Sequence, residues 1–176
     1  VQRARQAGAP IIGVTISAGI PPVEEAVALL DDLAALGITQ NAFKPGTVAQ
    51  VELVCKIARA ASHHTIFVHL EGGKAGGHHS WEDLDELLLS SYGLLRREPN
   101  LVLCVGGGVA TPERAAELLS GRWAIKHGRA KMPLDAILLG TVTMACLEAT
   151  TSPQVKQALV DAKGSERWVF DGTQDG

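Results

Sequence analysis

The sequence has 176 residues, 46% hydrophobic and 20% charged, with a formal net charge of −3. This balance excludes a disordered chain, leaves room for one substantial core, and gives no general attraction to nucleic acid, because the basic residues form no run. No apolar stretch approaches the roughly 20 residues of a membrane span, and the first residues lack a charged-then-apolar signal pattern, so no membrane partner and a cytoplasmic setting are expected.

In chain order, QRARQAGAP reads as a helix end that leads into the apolar run PIIGVTI. Pro21 and Pro22 then precede VEEAVALLDDLAAL, where apolar residues recur three and four apart and Gly37 supplies a stop, so a helix is predicted. ITQNAF is a second strand candidate, followed by the helical pattern VAQVELVCKIARAA. TIFVHL is the third, with a helix predicted over WEDLDELLLSSYGLLRR, and LVLCV the fourth. Thr111, Pro112 and Glu113 open the next helix, with threonine as N-cap and proline in the first turn. DAILLG is the last strand candidate, and TSPQVKQALVDAKG the last helix. Cys55, Cys104 and Cys146 lie far apart in apolar segments without C-x-x-C spacing, and buried thiols are expected rather than zinc ligands or a disulfide.

Alternating strands and helices define an α/β chain with a parallel sheet. About five units emerge with no linker, so residues 1–176 read as a single domain. A (β/α)₈ barrel takes eight units and commonly ~250 residues. The reading is therefore an incomplete TIM-type barrel of about five units, its C-terminal portion, with an open doubly wound sheet as the alternative. Barrel geometry is favoured by the loops. Distinctive residues follow each strand: Lys44-Pro45-Gly46-Thr47, then EGGKAGGHHS from Glu71, then Gly106-Gly107-Gly108, then Gly140-Thr141. A barrel gathers such loops at one mouth and uses the last two for phosphate. Glycine lets backbone N–H groups approach an anion closely, and a helix start adds partial positive charge.

Each signal also has a plain structural explanation. GGG before T-P-E fits a tight turn and a capped helix as well as a phosphate cradle. Lys44 fits either a surface lysine or a cation beside an anion site. His69, inside a strand, fits a core or lining role, while His63 and His64 are expected to be solvated. His78 and His79 with Glu71 lack a third nearby ligand and, as neighbours, diverge, so no metal is expected. Glu82, Asp83, Asp85 and Glu86 at a helix start are accounted for by the helix dipole.

EGGKAGGHHSWEDLDELLL, with FKPGT upstream and CVGGGVATPERAAELLSGRW and MPLDAILLGTVTMA downstream, resembles the enoyl reductase domain of type I fatty acid synthases. The shorter A-G-G-H signature is shared with FMN-dependent nitronate monooxygenase-like barrels, whereas HHSWED and TSPQVK are similar to the synthase branch. The resemblance runs from about Ile11 to Trp168.

That resemblance implies FMN as electron carrier, NADPH as hydride donor, and a trans-2-enoyl thioester on acyl carrier protein as acceptor, within a multifunctional synthase. It implies His78 as the catalytic residue facing flavin and substrate, with His79 supporting the loop. Gly72, Gly73, Gly76 and Gly77 would leave space for the flat isoalloxazine. Lys44 would contact the flavin, and Gly106, Gly107, Gly108, Gly140 and Thr141 would hold its phosphate. The basic stretch SGRWAIKHGRAKMPLD fits either an NADPH or carrier-protein contact or a solvated loop. Two other outcomes remain open: a nitronate monooxygenase-like oxidase, and a structural piece inactive alone.

Overall fold

The computed structural model describes residues 1–17, 19–73, 75, 80 and 82–162. After a short helix α1 (Gln2–Gln6), strands β1 (Thr15–Ile16), β2 (Asn41–Phe43), β3 (Ile66–Glu71), β4 (Leu101–Gly106) and β5 (Ala136–Ile137) alternate with helices. These are α2 (Val23–Ala35), α3 (Val48–Ala60), α4 (Leu84–Leu95) and α5 (Pro112–Ser120), followed by a 3-10 segment at Arg122–His127, α6 (Thr141–Met144) and α7 (Pro153–Asp161).

Helix starts follow from their capping residues. Thr47 accepts the Gln50 amide, Thr111 accepts the Arg114 amide with Pro112 in the first turn, and Ser152 accepts the Val155 amide. The helix expected from Trp81 begins instead at Leu84, because Asp83 accepts the Asp85 amide and sets the start there. Trp81 itself lies outside the described residues.

All five strands are parallel and pair in chain order, β1-β2-β3-β4-β5. The α/β expectation of consecutive strand–helix units is met as a five-stranded parallel sheet. The outer strands are shorter than their apolar runs. Along PIIGVTI only Thr15 and Ile16 enter the ladder. Upstream, Ile12 accepts both the Thr39 and Gln40 amides, and a Cβ on Gly13 would stand 2.0 Å from the Gln40 carbonyl oxygen. The backbones touch there, but irregularly.

Side chains alternate across the sheet. Ile66, Val68 and Leu70 of β3 and Leu101, Leu103 and Val105 of β4 join Leu30, Val51, Val54, Ile57, Leu87 and Leu88 of the helices in one buried core. Neighbouring helices α2, α3 and α4 pack side by side, each connecting consecutive parallel strands. The other face carries Ala42, Phe67, His69, Glu71, Val102, Cys104 and Gly106, and there Ala42, Phe67 and Val102 are only half-buried.

Asp85 corrects the reading of the acidic helix start as dipole compensation alone. Its side chain is buried and receives Arg114 on Oδ1 and Lys126 on Oδ2 at 2.6 Å, with His127 Nε2 3.3 Å from Oδ2. Thus α4, α5 and the 3-10 segment are tied to one carboxylate. Burial alone would raise its pKa, but hydrogen bonds from Lys126, Arg114 and His127 and the charge of Arg114 hold it below the ordinary value. A depressed folded-state pKa contributes stability above the unfolded value of about 3.9 and loses it as pH falls further. Asp85→Asn should therefore lower the urea midpoint at pH 7 and lose less than the wild type on going to pH 3. Parallel losses in the two proteins would contradict this role.

Candidate functional site

The residues after each strand meet at the carboxyl end of the sheet. The Lys44 amide donates to Ile16 O at 3.0 Å, Glu71 is in register with Gly106, and the Leu138 amide donates to Val105 O at 2.7 Å. These pairings set the loops after β2, β3, β4 and β5 side by side.

Lys44 and Glu71 form an ion pair, their side chains 15% and 11% exposed. Next to them, His69 is buried, and its Nε2 has no hydrogen-bond partner among the described residues. Glu71 Oε2 is likewise buried with no hydrogen-bond partner among the described residues, and the Lys44 charge helps offset its desolvation. Burial pushes the His69 imidazole below its usual pKa; Glu71 opposes this shift and Lys44 adds to it. His69 is accordingly a neutral ring at pH 7. Cys104, its register neighbour on β4, is pushed up to about 11 by burial and remains a thiol. The structure corrects the expectation of three buried thiols: Cys55 and Cys104 are buried, but Cys146 is exposed, because it follows the short α6, which buries no residue.

The glycines divide by what surrounds them. A Cβ on Gly106 would lie 2.6 Å from His69 Nε2, so glycine is required beside the imidazole. Gly107 and Gly108 adopt left-handed φ of 84° and 71°, and a Cβ on Gly107 would meet Ala75 Cβ at 2.8 Å. The bare backbone at Gly72 has a local cause: its Cβ would strike Leu84, 2.7 Å from Cβ and 2.8 Å from N. The Gly73 amide donates to Glu82 O at 2.8 Å. At Gly140, just before Thr141 and α6, a Cβ would meet nothing within 4 Å. Gly76, Gly77, His78 and His79 lie outside the described residues. On either side of them, Ala75 donates its amide to Gly72 O, and Ser80 Oγ donates to Gly46 O at 2.7 Å.

Other expectations change. His63 and His64 are not simply solvated: their Nε2 atoms lie 3.0 and 2.8 Å from Asp31 Oδ1, and the His64 side chain is only 13% exposed. The turn after α3 points both rings at α2. In the basic stretch, Lys126 and His127 are engaged by Asp85, whereas Arg122, Arg129 and Lys131 are exposed. Sequence reading undervalued His69, Glu71 and Asp85. Extending the two-residue alternation of β3 from Phe67 would have placed His69 and Glu71 on one face, toward Lys44.

The fold and this site define a parallel α/β protein with a polar cluster at the carboxyl ends of its strands. The family model described as "Fatty acid synthase subunit beta/Fas1-like, helical" matches residues 65–175, and the chain belongs to that family. Within the matched span the structure also contains β3, β4 and β5. The chain is 40% identical over 169 residues to the fatty acid synthase beta subunit aflB of Emericella nidulans, covering 96% of this chain and 8% of the relative. It is 41% identical over 168 residues to fatty acid synthase 2 of Mycosarcoma maydis, covering 96% and 4% respectively. It is 40% identical over 169 residues to the fatty acid synthase subunit beta of Schizosaccharomyces pombe, again covering 96% and 8%. The chain thus spans less than a tenth of the length of each of these relatives. No helix among the described residues is long and apolar enough to cross a membrane.

Proposed function

We propose that this chain is the enoyl reductase portion of a type I fatty acid synthase, built as five consecutive units of a TIM-type barrel that binds FMN. The observation that carries the reading is the cluster at the strand ends: Lys44 against Glu71, and the buried His69 Nε2 beside Gly106, which has no hydrogen-bond partner among the described residues. A buried polar atom without a partner is costly unless something else meets it. In the barrel reading, the half-buried face of Phe67 and Val102 becomes the barrel interior and the cluster lies at the mouth where ligands bind.

FMN is the group that this reading implies for the strand-end loops, where a Cβ on Gly140 would meet nothing within 4 Å. Gly106, Gly107, Gly108, Gly140 and Thr141 would hold its phosphate through the backbone, Lys44 would lie by the ring system, and Gly73, Gly76 and Gly77 would keep the adjoining loop free of side chains, with Gly72 packed on Leu84 behind them. When bound, FMN would relay a hydride from NADPH to the β-carbon of a trans-2-enoyl thioester carried by acyl carrier protein. The α-carbon then needs a proton and the thioester oxygen a hydrogen-bond donor, and His78 is the residue assigned to that pair of tasks. The other synthase domains and the carrier protein would be its partners, in the cytoplasm.

A desalting experiment tests the reading. This chain, and a polypeptide extended to include the preceding part of the synthase, are mixed with FMN, desalted, and scanned for bound flavin; NADPH oxidation is then followed with and without crotonyl thioester. The extended protein should stay yellow and oxidise NADPH only with the thioester. A colourless extended protein would refute the assignment. A second reading, that the chain is an assembly piece, draws on Gly72 against Leu84 and Gly107 against Ala75, contacts that explain these glycines by packing alone; it predicts that colourless result.

A further inference from the structure

We propose that Asp31, His63 and His64 form a surface site for a late first-row divalent metal ion of the zinc type, separate from the strand-end cluster. Each offers one ligand atom, and these atoms all lie within 4.8 Å of one another. Asp31 Oδ1 lies 3.0 Å from His63 Nε2 and 2.8 Å from His64 Nε2. In a tetrahedral zinc site, ligands at about 2.0–2.2 Å from the metal stand roughly 3.3–3.5 Å apart, so the two Asp31 contacts would open by about half an ångström, and the two imidazole nitrogens, within 4.8 Å of each other, would settle to the same spacing. Two imidazoles and one carboxylate suit zinc, cobalt, nickel or copper rather than magnesium or calcium, which take oxygen sets.

Adjacent histidines ordinarily diverge. Here their ring centroids are 4.2 Å apart with the planes inclined at 44°. The turn that aims them is held from outside: Asn100 Nδ2 donates to Ala58 O, Ala61 O and His64 O, and the His64 amide donates to Ala61 O. Asn100 thus caps the end of α3 and fixes the backbone carrying both rings. Asp31 comes from α2, so a bound ion would staple α2 to the turn before β3. The Asp31 and His63 side chains are 53% and 60% exposed, which leaves a path for the ion and room for water as a fourth ligand.

The test uses the 176-residue chain with zinc chloride in calorimetry and cobalt chloride in visible absorption. A single zinc ion should bind per chain at micromolar concentration, cobalt should give the intense bands of a tetrahedral site, and zinc should raise the thermal midpoint. Asp31→Asn and His63→Ala, both at exposed positions, should each weaken zinc by more than the ~10–100-fold that loss of a merely supporting contact costs and abolish the zinc-dependent rise. No binding, or binding undiminished in both variants, would overturn the proposal; the latter would move the metal to Cys146 or to the His78-His79 pair.

Discussion

Replacing His78 with alanine in an N-terminally extended protein should leave FMN bound and its yellow colour intact while lowering enoyl reduction by ~10²–10⁴-fold, the usual contribution of a positioned acid or oxyanion donor. The structure adds a second histidine to this experiment. His69 lies on β3 with its Nε2 buried and unpartnered among the described residues, and it is held neutral by burial. A neutral imidazole can line a pocket or accept and donate one hydrogen bond each, but its position beneath the loops, against Gly106, suits support of the mouth rather than proton delivery to a substrate. His69→Gln should therefore lower flavin affinity more than turnover per bound flavin, and His78→Ala should do the opposite. His79→Ala should fall less than His78→Ala. Steady-state rates normalised to bound flavin separate the cases. If His69→Gln retains flavin and loses turnover while His78→Ala is near normal, the chemistry belongs to His69.

What could be read from the sequence followed periodicity and punctuation. Every strand overlaps an apolar run, β3 and β4 each extending one residue past theirs to Glu71 and Gly106, and Thr111-Pro112 and Ser152-Pro153 cap helices as the residue types require. Parallel pairing in chain order followed from the alternation of strand and helix. What was not legible depended on neighbours far apart in sequence. Asp85 looks like a helix-dipole residue until Arg114 and Lys126, from two later elements, are brought onto it. Gly72 looks like space for a ligand until Leu84 is found where its side chain would go. The two histidines of SHHT have no visible partner until α2 is laid beside the end of α3. Motifs pointed to the strand-end loops; distances between loops decided which residues meet.

The largest stability loss should come from Trp123→Ala. Trp123 is 1% exposed within the 3-10 segment, packs into the main core, and donates from Nε1 to Met132 O at 2.8 Å. Truncating a buried tryptophan typically costs ~3–5 kcal/mol through lost burial and the cavity left behind. For a chain of this size that corresponds to a thermal midpoint lower by roughly 6–20 °C. Trp123→Phe should cost less, since it keeps much of the volume and loses the hydrogen bond. The effect should reach the site, because the segment that Trp123 anchors leads directly into β5. Its return path is fixed by the Met132 amide to Gly121 O, the Leu134 amide to Leu118 O, Tyr92 and Arg96 donating to Pro133 O, the Asp135 amide to Leu103 O, and the Asp135 carboxylate clasping the Leu103 amide and Arg96. Only two register pairs, Cys104 with Ala136 and Val105 with Ile137, then join β5 to β4. Gly140 and Thr141 hang on that short strand. In the extended protein, Trp123→Ala should weaken FMN while the flavin that does bind turns over normally, since no group of the reacting site is removed. Thermal unfolding with a flavin titration checks both parts; an unchanged midpoint would remove Trp123 as the anchor, and full flavin affinity at a lowered midpoint would uncouple the β5 loop from it.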